Sequence, residues 1–329
     1  MTLWSSAVWT TEEFLAELRA FVTDALGEPT SVEPVRLRPW SAVWRVQAGG
    51  RVAYAKQNCP GQAHEARLLS ELAGVAPGFV VPVLAADAAR DLLLTEDLGP
   101  TLQDVGRVDD VDLWCRIAAA GAWLQRLSTE AVSRVGLTVL APGDATTYVA
   151  DAVGRLSALA EGDPRRLDAH LAARLQALLP TIGRWADEVE ELGLPLTLLH
   201  NDLHTSNVVA NDSTLRFFDF GDAVVGDPLG NLLVPLDAVR REIGAGPDDP
   251  RLWRIADAAL EVWSDLVPSS ALRAALPAAL QLARLARVES WRRCVATMSP
   301  AERSGYGSAP ARWLGSLTEA PPVASVVAH

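Results

Sequence analysis

Lysine occurs once in 329 residues, at Lys56, although the chain holds 29 basic residues. All the others are arginine. The codon bias of a GC-rich genome accounts for the shortage, but not for the survivor. A compact ammonium fits beside phosphate oxygens in ways a planar guanidinium does not, so Lys56 is a candidate site residue. Cysteine is also scarce. Cys59, Cys115 and Cys294 are odd in number and widely spaced. They argue against a disulfide framework or a zinc site, and for a reducing cytoplasm. No charge-free apolar run approaches the roughly 18 residues of a membrane span. The opening "MTLWSSAVWTTEEFLAEL" lacks the basic region and long apolar core of a secretory signal. Net charge is -12, so nucleic acid is not an expected partner. A cationic small molecule is compatible with that balance.

What is present is a core. Apolar residues make up 49% of the chain, enough for one large domain or two smaller ones. Thr10 or Thr11 before "EEFLAELRAFVTDAL" predicts a capped helix that stops at Gly27. The period then changes. "SVEPVRLRPW", "SAVWRVQAG" and "RVAYAKQN" read as three antiparallel strands. "GQAHEARLLSELAG" reads as a helix, and "VVPVLAADAA" and "RDLLLTEDLG" as two more strands. From Thr101 onward the pattern is mainly helical, with a break expected at Pro180 and a loose tail at "EAPPVASVVAH". The expectation is an α+β architecture. A small antiparallel-sheet lobe with one helix, residues 1–98, precedes a larger helical lobe, residues 99–329.

One stretch interrupts the helices: "LLHNDLHTSNVVANDSTLRFFDFGDAVVGDP", residues 198–228. "NVVA", a turn at "NDST" and "LRFFDF" predict a hairpin. Its ends would bring Asn207 and Asp219 together. An amide oxygen and a carboxylate suit Mg²⁺, a hard ion that takes oxygen ligands and keeps waters. Asp202, a few residues upstream, can face the same centre and orient an attacking hydroxyl or accept its proton. With a cation for the phosphates, these are the parts of phosphoryl transfer. Taken singly, each polar residue could as well cap a turn; the ordered set favours the site.

"HNDLHTSN", "FFDFGD" and "GDP" together resemble the aminoglycoside phosphotransferase and choline kinase-like family, which is related to protein kinases. The matching residues are His200, Asp202, Leu203, His204 and Asn207, then Asp219 and Phe220, then Gly226, Asp227 and Pro228. The resemblance implies a two-lobed protein-kinase-like fold using ATP and Mg²⁺. It implies that Lys56 holds the α- and β-phosphates, paired with Glu65 or, less well matched, Glu71. Backbone groups from Glu96 to Leu98 would meet the adenine edge. Asp202 would be catalytic, Asn207 and Asp219 would bind the metal, and His200 and His204 would support the loop. Asn201 stands in place of a usual glycine. Asn231 stands where an aspartate is common and reads as loop support. The phosphate-covering turn "LRPWSAVW" has no glycine, so Ser41 is the expected donor there.

Three function classes fit such a chain: a small-molecule kinase, a protein kinase and an inactive nucleotide binder. Only six residues separate Phe220 from Asp227, too few for a peptide-docking activation segment. A small hydroxyl acceptor is therefore expected, and the chain's acidity suggests one that bears an amine. Candidate acceptor residues are Trp253, Trp263, Glu289, Trp291, Arg292 and Arg293. The last four lie in "RVESWRRC", which also reads as an amphipathic helix with a packed tryptophan and solvated charges.

Overall fold

The computed structural model describes residues 4–210 and 215–324. Helix α1 (Glu12–Leu26) begins where the Thr11 hydroxyl accepts from the Phe14 N–H, and ends at Gly27, whose φ of 84° a side chain would resist. A sheet follows, built from β1 (Pro29–Leu37), β2 (Ser41–Ala48) and β3 (Arg51–Asn58). Gly49 and Gly50 both have positive φ, the two-residue turn that matches strand twist. Helix α2 (Glu65–Val75), β4 (Val83–Asp87) and β5 (Leu92–Glu96) complete this part. The strand order is β1-β2-β3-β5-β4, antiparallel throughout. Five strands and one helix therefore stand where the sequence placed them.

The remainder is mainly helical. It comprises α3 (Val111–Ser133), the short strand β6 (Val139–Leu140), α4 (Ala145–Ser157) and α5 (Ala169–Glu190). Strand β7 (Thr197–Leu199), the hairpin strands β8 (Val208–Ala210) and β9 (Leu215–Phe217), and β10 (Val224–Gly226) carry the polar loops. Helices α6 (Leu233–Glu242), α7 (Pro250–Leu260), α8 (Ser269–Thr297), α9 (Pro300–Tyr306) and α10 (Ala309–Ser316) follow. The "NDST" turn lies outside the described residues.

Two expectations need correction. Pro180 does not break α5, which runs through it. Proline costs that helix one hydrogen bond, but Leu175, Ile182, Ala186 and Val189 are buried on either side of it and hold the axis. The tail is not loose where it is described: Val323 is fully buried and the Ala324 N–H donates to Pro247. The pairing of β10 with β6 and β7 was not foreseen, because runs of two or three residues carry no readable period.

Helix α8 joins the lobes. Its residues Cys294 and Val295 belong to the same core as Trp9, Phe14 and Trp44 of the sheet lobe. Trp40, at the β1–β2 turn, packs edge-on against Trp291 of α8 and Tyr306 of α9, with ring centroids 5.3 and 5.0 Å away. At Gly61 a β-carbon would overlap the Arg293 carbonyl. Gly61→Ala should therefore destabilise the fold by about 1–3 kcal/mol through overpacking. Gly74→Ala, in helix α2 with nothing within 4 Å of the new carbon, should stabilise it by about 0.4–1 kcal/mol. Urea midpoints of the two variants check this contrast.

Candidate active site

Lys56 projects from β3 into a cleft of about 260 Å³ that both lobes line. Its ammonium lies 2.6 Å from Glu65 Oε2 and 2.6 Å from Asp219 Oδ1. Burial alone would lower its pKa; the carboxylates of Asp219 and Glu65 reverse that and raise it well above the ordinary value. Glu65 is itself fixed, since its Oε1 accepts from the Phe220 N–H and its Oε2 from Asn58 Nδ2. Asp91 also takes the Asn58 amide and caps α2 through the Ala66 N–H. Glu71 instead pairs with Arg134, away from the cleft.

Cross-strand register fixes what stands beside Lys56. Arg36 pairs with Val43, Val43 with Lys56, and Lys56 with Leu93. Residues directly opposite share a sheet face, and all four line the cleft. Arg36 was not singled out from sequence; only strand register reveals it. Glu96 and Leu98 line the same cleft. The Glu96 N–H is already taken by the Pro82 carbonyl. Ser41 is buried at the start of β2 and is not among the cleft-lining residues. The turn beside it is held against α8 and α9 through Trp40, so the expected role of Ser41 finds no geometric support.

The loop after β7 is set by one unusual residue. Asn201 has φ 65°, the left-handed region that asparagine tolerates better than other non-glycine residues. This explains how it can replace glycine. Its amide donates to the carbonyls of Asp222 and Ala286. The His200 N–H donates to Asn231 Oδ1, the support expected of Asn231. His200 is buried against Phe220 and the Phe218 carbonyl, and desolvation pulls its pKa to about 4. It is a neutral structural residue.

Asp202 therefore points outward with its carboxylate engaged on both sides. Oδ1 lies 2.9 Å from Arg287 and Oδ2 lies 3.3 Å from His204 Nε2. Burial pushes its pKa up, but Arg287, then His204 and His200, hold it well below the usual carboxylate range. Asn207 donates its amide nitrogen to the Asp202 carbonyl at 2.8 Å, which assigns its Oδ1 as the oxygen presented to the cleft. Asp219, also at positive φ, closes the hairpin's far end. Among the described residues no group of three or more His, Cys, Asp or Glu is placed to hold a metal. One amide oxygen and one carboxylate still fit Mg²⁺, which takes most of its ligands from phosphates and water.

Asp202 opens not onto the Lys56 cleft but onto an adjoining cavity of about 370 Å³, with Ser206 shared between the two. Arg287 and Asp222 had no assigned roles in the sequence reading. Arg287 bridges Asp202, Asp222 (3.1 Å) and the Asn201 carbonyl. Asp222 also accepts from Ser290 and from Gln62 Nε2. Of the expected acceptor residues, Trp253 and Trp263 are core. Glu289 is buried, bonded by the Tyr148 hydroxyl and by the exposed Arg292, so the "RVESWRRC" charges are not all solvated. The Arg293 guanidinium donates to the Asp222 and Ala223 carbonyls. Of the six, only Trp291 lines a cavity on this side, a second one of about 350 Å³. Arg240, Arg241, Arg284, Arg287 and Arg312 line the two cavities on the Asp202 side. Asp202, Asp237 and Glu242 share the inner cavity with Arg241 and Arg287, while Asp237 and Glu319 share the outer one with four arginines, so net charge alone does not select an amine.

A cation between two carboxylates, facing an interlobe cleft beside a loop-held aspartate, defines a kinase-like phosphotransferase. The chain belongs to the phosphotransferase enzyme family (APH), whose model matches residues 35–266. It is similar in fold to an ethanolamine kinase of Plasmodium vivax (11% identity, 90% of this chain and 91% of that one, TM-score 0.59). It is likewise similar to the aminoglycoside 2′-phosphotransferase-IIIa solved with GDP (15%, 92% and 97%, 0.55). A third similar structure is a spectinomycin phosphotransferase solved with ADP and spectinomycin (11%, 94% and 95%, 0.52). No curated protein sequence matches the chain.

Burial pushes Asp227, at the "GDP" turn, up to about 7 from 3.8, although the Leu229 N–H bonds its carboxyl. The folded state then keeps a proton that the unfolded chain releases, so this group costs stability progressively between pH 3.8 and about 7. Asp227→Asn should gain stability relative to the parent across that window and hold a constant advantage above it. Urea melts at a series of pH values measure this.

Proposed function

We propose that the protein is an ATP- and Mg²⁺-dependent kinase that transfers the γ-phosphoryl group to a hydroxyl of a small molecule. The observation that carries this reading is the Lys56 ammonium, 2.6 Å from both Glu65 and Asp219, at the cleft next to Asp202. In this reading residues 1–98 bind the nucleotide and residues 99–329 bind the acceptor. Lys56 meets the α- and β-phosphates, held in register by Glu65. Arg36, one strand beyond Val43 on the same face, supplies a second cation where a glycine-rich turn would supply backbone N–H groups. The adenine edge meets main chain between Glu96 and Leu98. Asn207 and Asp219 would hold Mg²⁺, which neutralises charge on the phosphates.

Asp202 acts on the acceptor. With its pKa held low by Arg287 and His204, it is a weak base and a strong hydrogen-bond acceptor. That suits a loose phosphoryl-transfer transition state, in which the hydroxyl needs orientation more than deprotonation. The P–O bond to the departing ADP breaks, a P–O bond to the acceptor oxygen forms, and the hydroxyl proton leaves toward the Asp202 carboxylate. Nucleotide complexes in structures of the same fold, with ADP in one and GDP in another, support a nucleotide in the Lys56 cleft.

Two outcomes test this. Lys56→Met should lower kcat/KM for ATP by roughly 100-fold or more. Asp202→Asn should leave ATP–Mg²⁺ affinity in calorimetry near the parent value while abolishing turnover; loss of binding together with turnover would remove Asp202 from the acceptor side. Separately, Arg36→Ala should raise KM for ATP by roughly 3–10-fold with kcat nearly unchanged. An unchanged KM would leave the glycine-free turn without a substitute.

A further inference from the structure

We propose that the acceptor carries an anionic group, a carboxylate or a phosphate, bound one guanidinium away from the reacting hydroxyl. The inference deepens the kinase reading and rests on it for the position of that hydroxyl. The two cavities on the Asp202 side share Leu233, Asp237, Arg287 and Trp313 and so adjoin. The inner one meets Asp202. The outer one, about 350 Å³, is lined by four arginines, Arg240, Arg284, Arg287 and Arg312, against two carboxylates, Asp237 and Glu319.

The balance of charge depends on how these groups are already engaged. Arg287 is neutralised by Asp202 and Asp222. Asp237 must serve both Arg240, at 3.0 Å, and Arg241, at 2.6 Å. Arg284 is buried, and its terminal nitrogens donate to the carbonyls of Ser316 and Ala320, not to a carboxylate. Its acidic neighbours are Glu319, 3.8 Å away on a side chain that is 73% exposed, and Asp237, which Arg240 and Arg241 already engage. Arg312 is exposed, and its guanidinium makes no ion pair or hydrogen bond among the described residues. Glu242 lines the inner cavity and, like Arg312, is exposed, so water screens both. The outer cavity thus holds more guanidinium than carboxylate in a chain whose net charge is -12.

A buried arginine bonded only to neutral carbonyls is costly to maintain without an anion near it. Guanidinium forks match carboxylate and phosphate oxygens in pairs, which an amine cannot exploit. Trp313, under the Arg287 guanidinium at 5.1 Å, and Trp291 add flat apolar walls. The acceptor that fits has a hydroxyl at Asp202, a compact body against Trp313, and an anionic end toward Arg312 and Arg284. Small hydroxy acids and sugar acids have this form.

The test uses the full chain saturated with ADP and Mg²⁺ and three matched sets of probes. These are glycerate, glycerol and 2-amino-1,3-propanediol; gluconate, glucose and glucosamine; and glycerol phosphate as the phosphate arm. Binding is read by calorimetry and transfer from ATP by product mass. The expected result is binding of the acid or phosphate member in preference to its neutral and amine partners. Arg312→Ala, an exposed change, and Arg240→Gln should each weaken that binding at least about fivefold while leaving ADP affinity unchanged. Equal or tighter binding of the amines overturns the inference, as does anion binding that neither variant alters, or no anion binding at millimolar concentrations. Failure of ADP and Mg²⁺ to bind at all would count against the kinase reading instead, and the anion titrations can still be read without nucleotide.

Discussion

Lys56 is held by two carboxylates from different lobes. Glu65 belongs to the helix behind the sheet, and Asp219 closes a hairpin of the helical lobe. Each is useful to the other only while the ammonium stays between them. Glu65 reaches further, to the Phe220 N–H, so the hairpin that carries Asp219 is positioned by the same side chain that positions the lysine. Remove the cation and two acidic groups face one another across the interlobe gap, in surroundings where unpaired charge is costly. The placement of sheet, α2 and hairpin converges on this one ammonium.

Helix α8 plays the corresponding part around Asp202. Its Arg287 holds Asp202, Asp222 and the Asn201 carbonyl. Its Ser290 also meets Asp222, and its Ala286 carbonyl receives the Asn201 amide. The same helix packs Trp291 against Trp40 of the sheet lobe. The loop that carries Asp202, the lobe junction and the walls of the cavities beside Asp202 therefore share one support. A change in α8 would be felt in all three.

Much of this was legible in the sequence because local chemistry is spelled in short spacings. The lone lysine, the polar set around Asp202, Asn207 and Asp219, the hairpin apart from its turn, and the five strands of the first lobe needed no long-range information. What stayed hidden depends on contacts between distant segments. Arg36 joins Lys56 only through strand register. Arg287 looked like part of an amphipathic helix, yet α8 is buried around most of its circumference and Arg287 is paired with Asp202 and Asp222. Net charge could not describe the acceptor site, because a total says nothing of placement: four arginines and two carboxylates line the cavity around Trp313 and Trp291. Pro180 was read as a break by local rules that burial on both sides of it overrides.

The scarcity of lysine has a practical corollary. Lys56 is the sole side-chain amine in the chain, and it is both protonated more firmly than usual and enclosed by its partners. An acylating reagent can modify it only in the moments when the ammonium leaves both carboxylates and sheds a proton. The acylation rate of this one atom, followed by peptide mass at Lys56, is therefore a clock for the opening of the ammonium's two ion pairs, with no label to install.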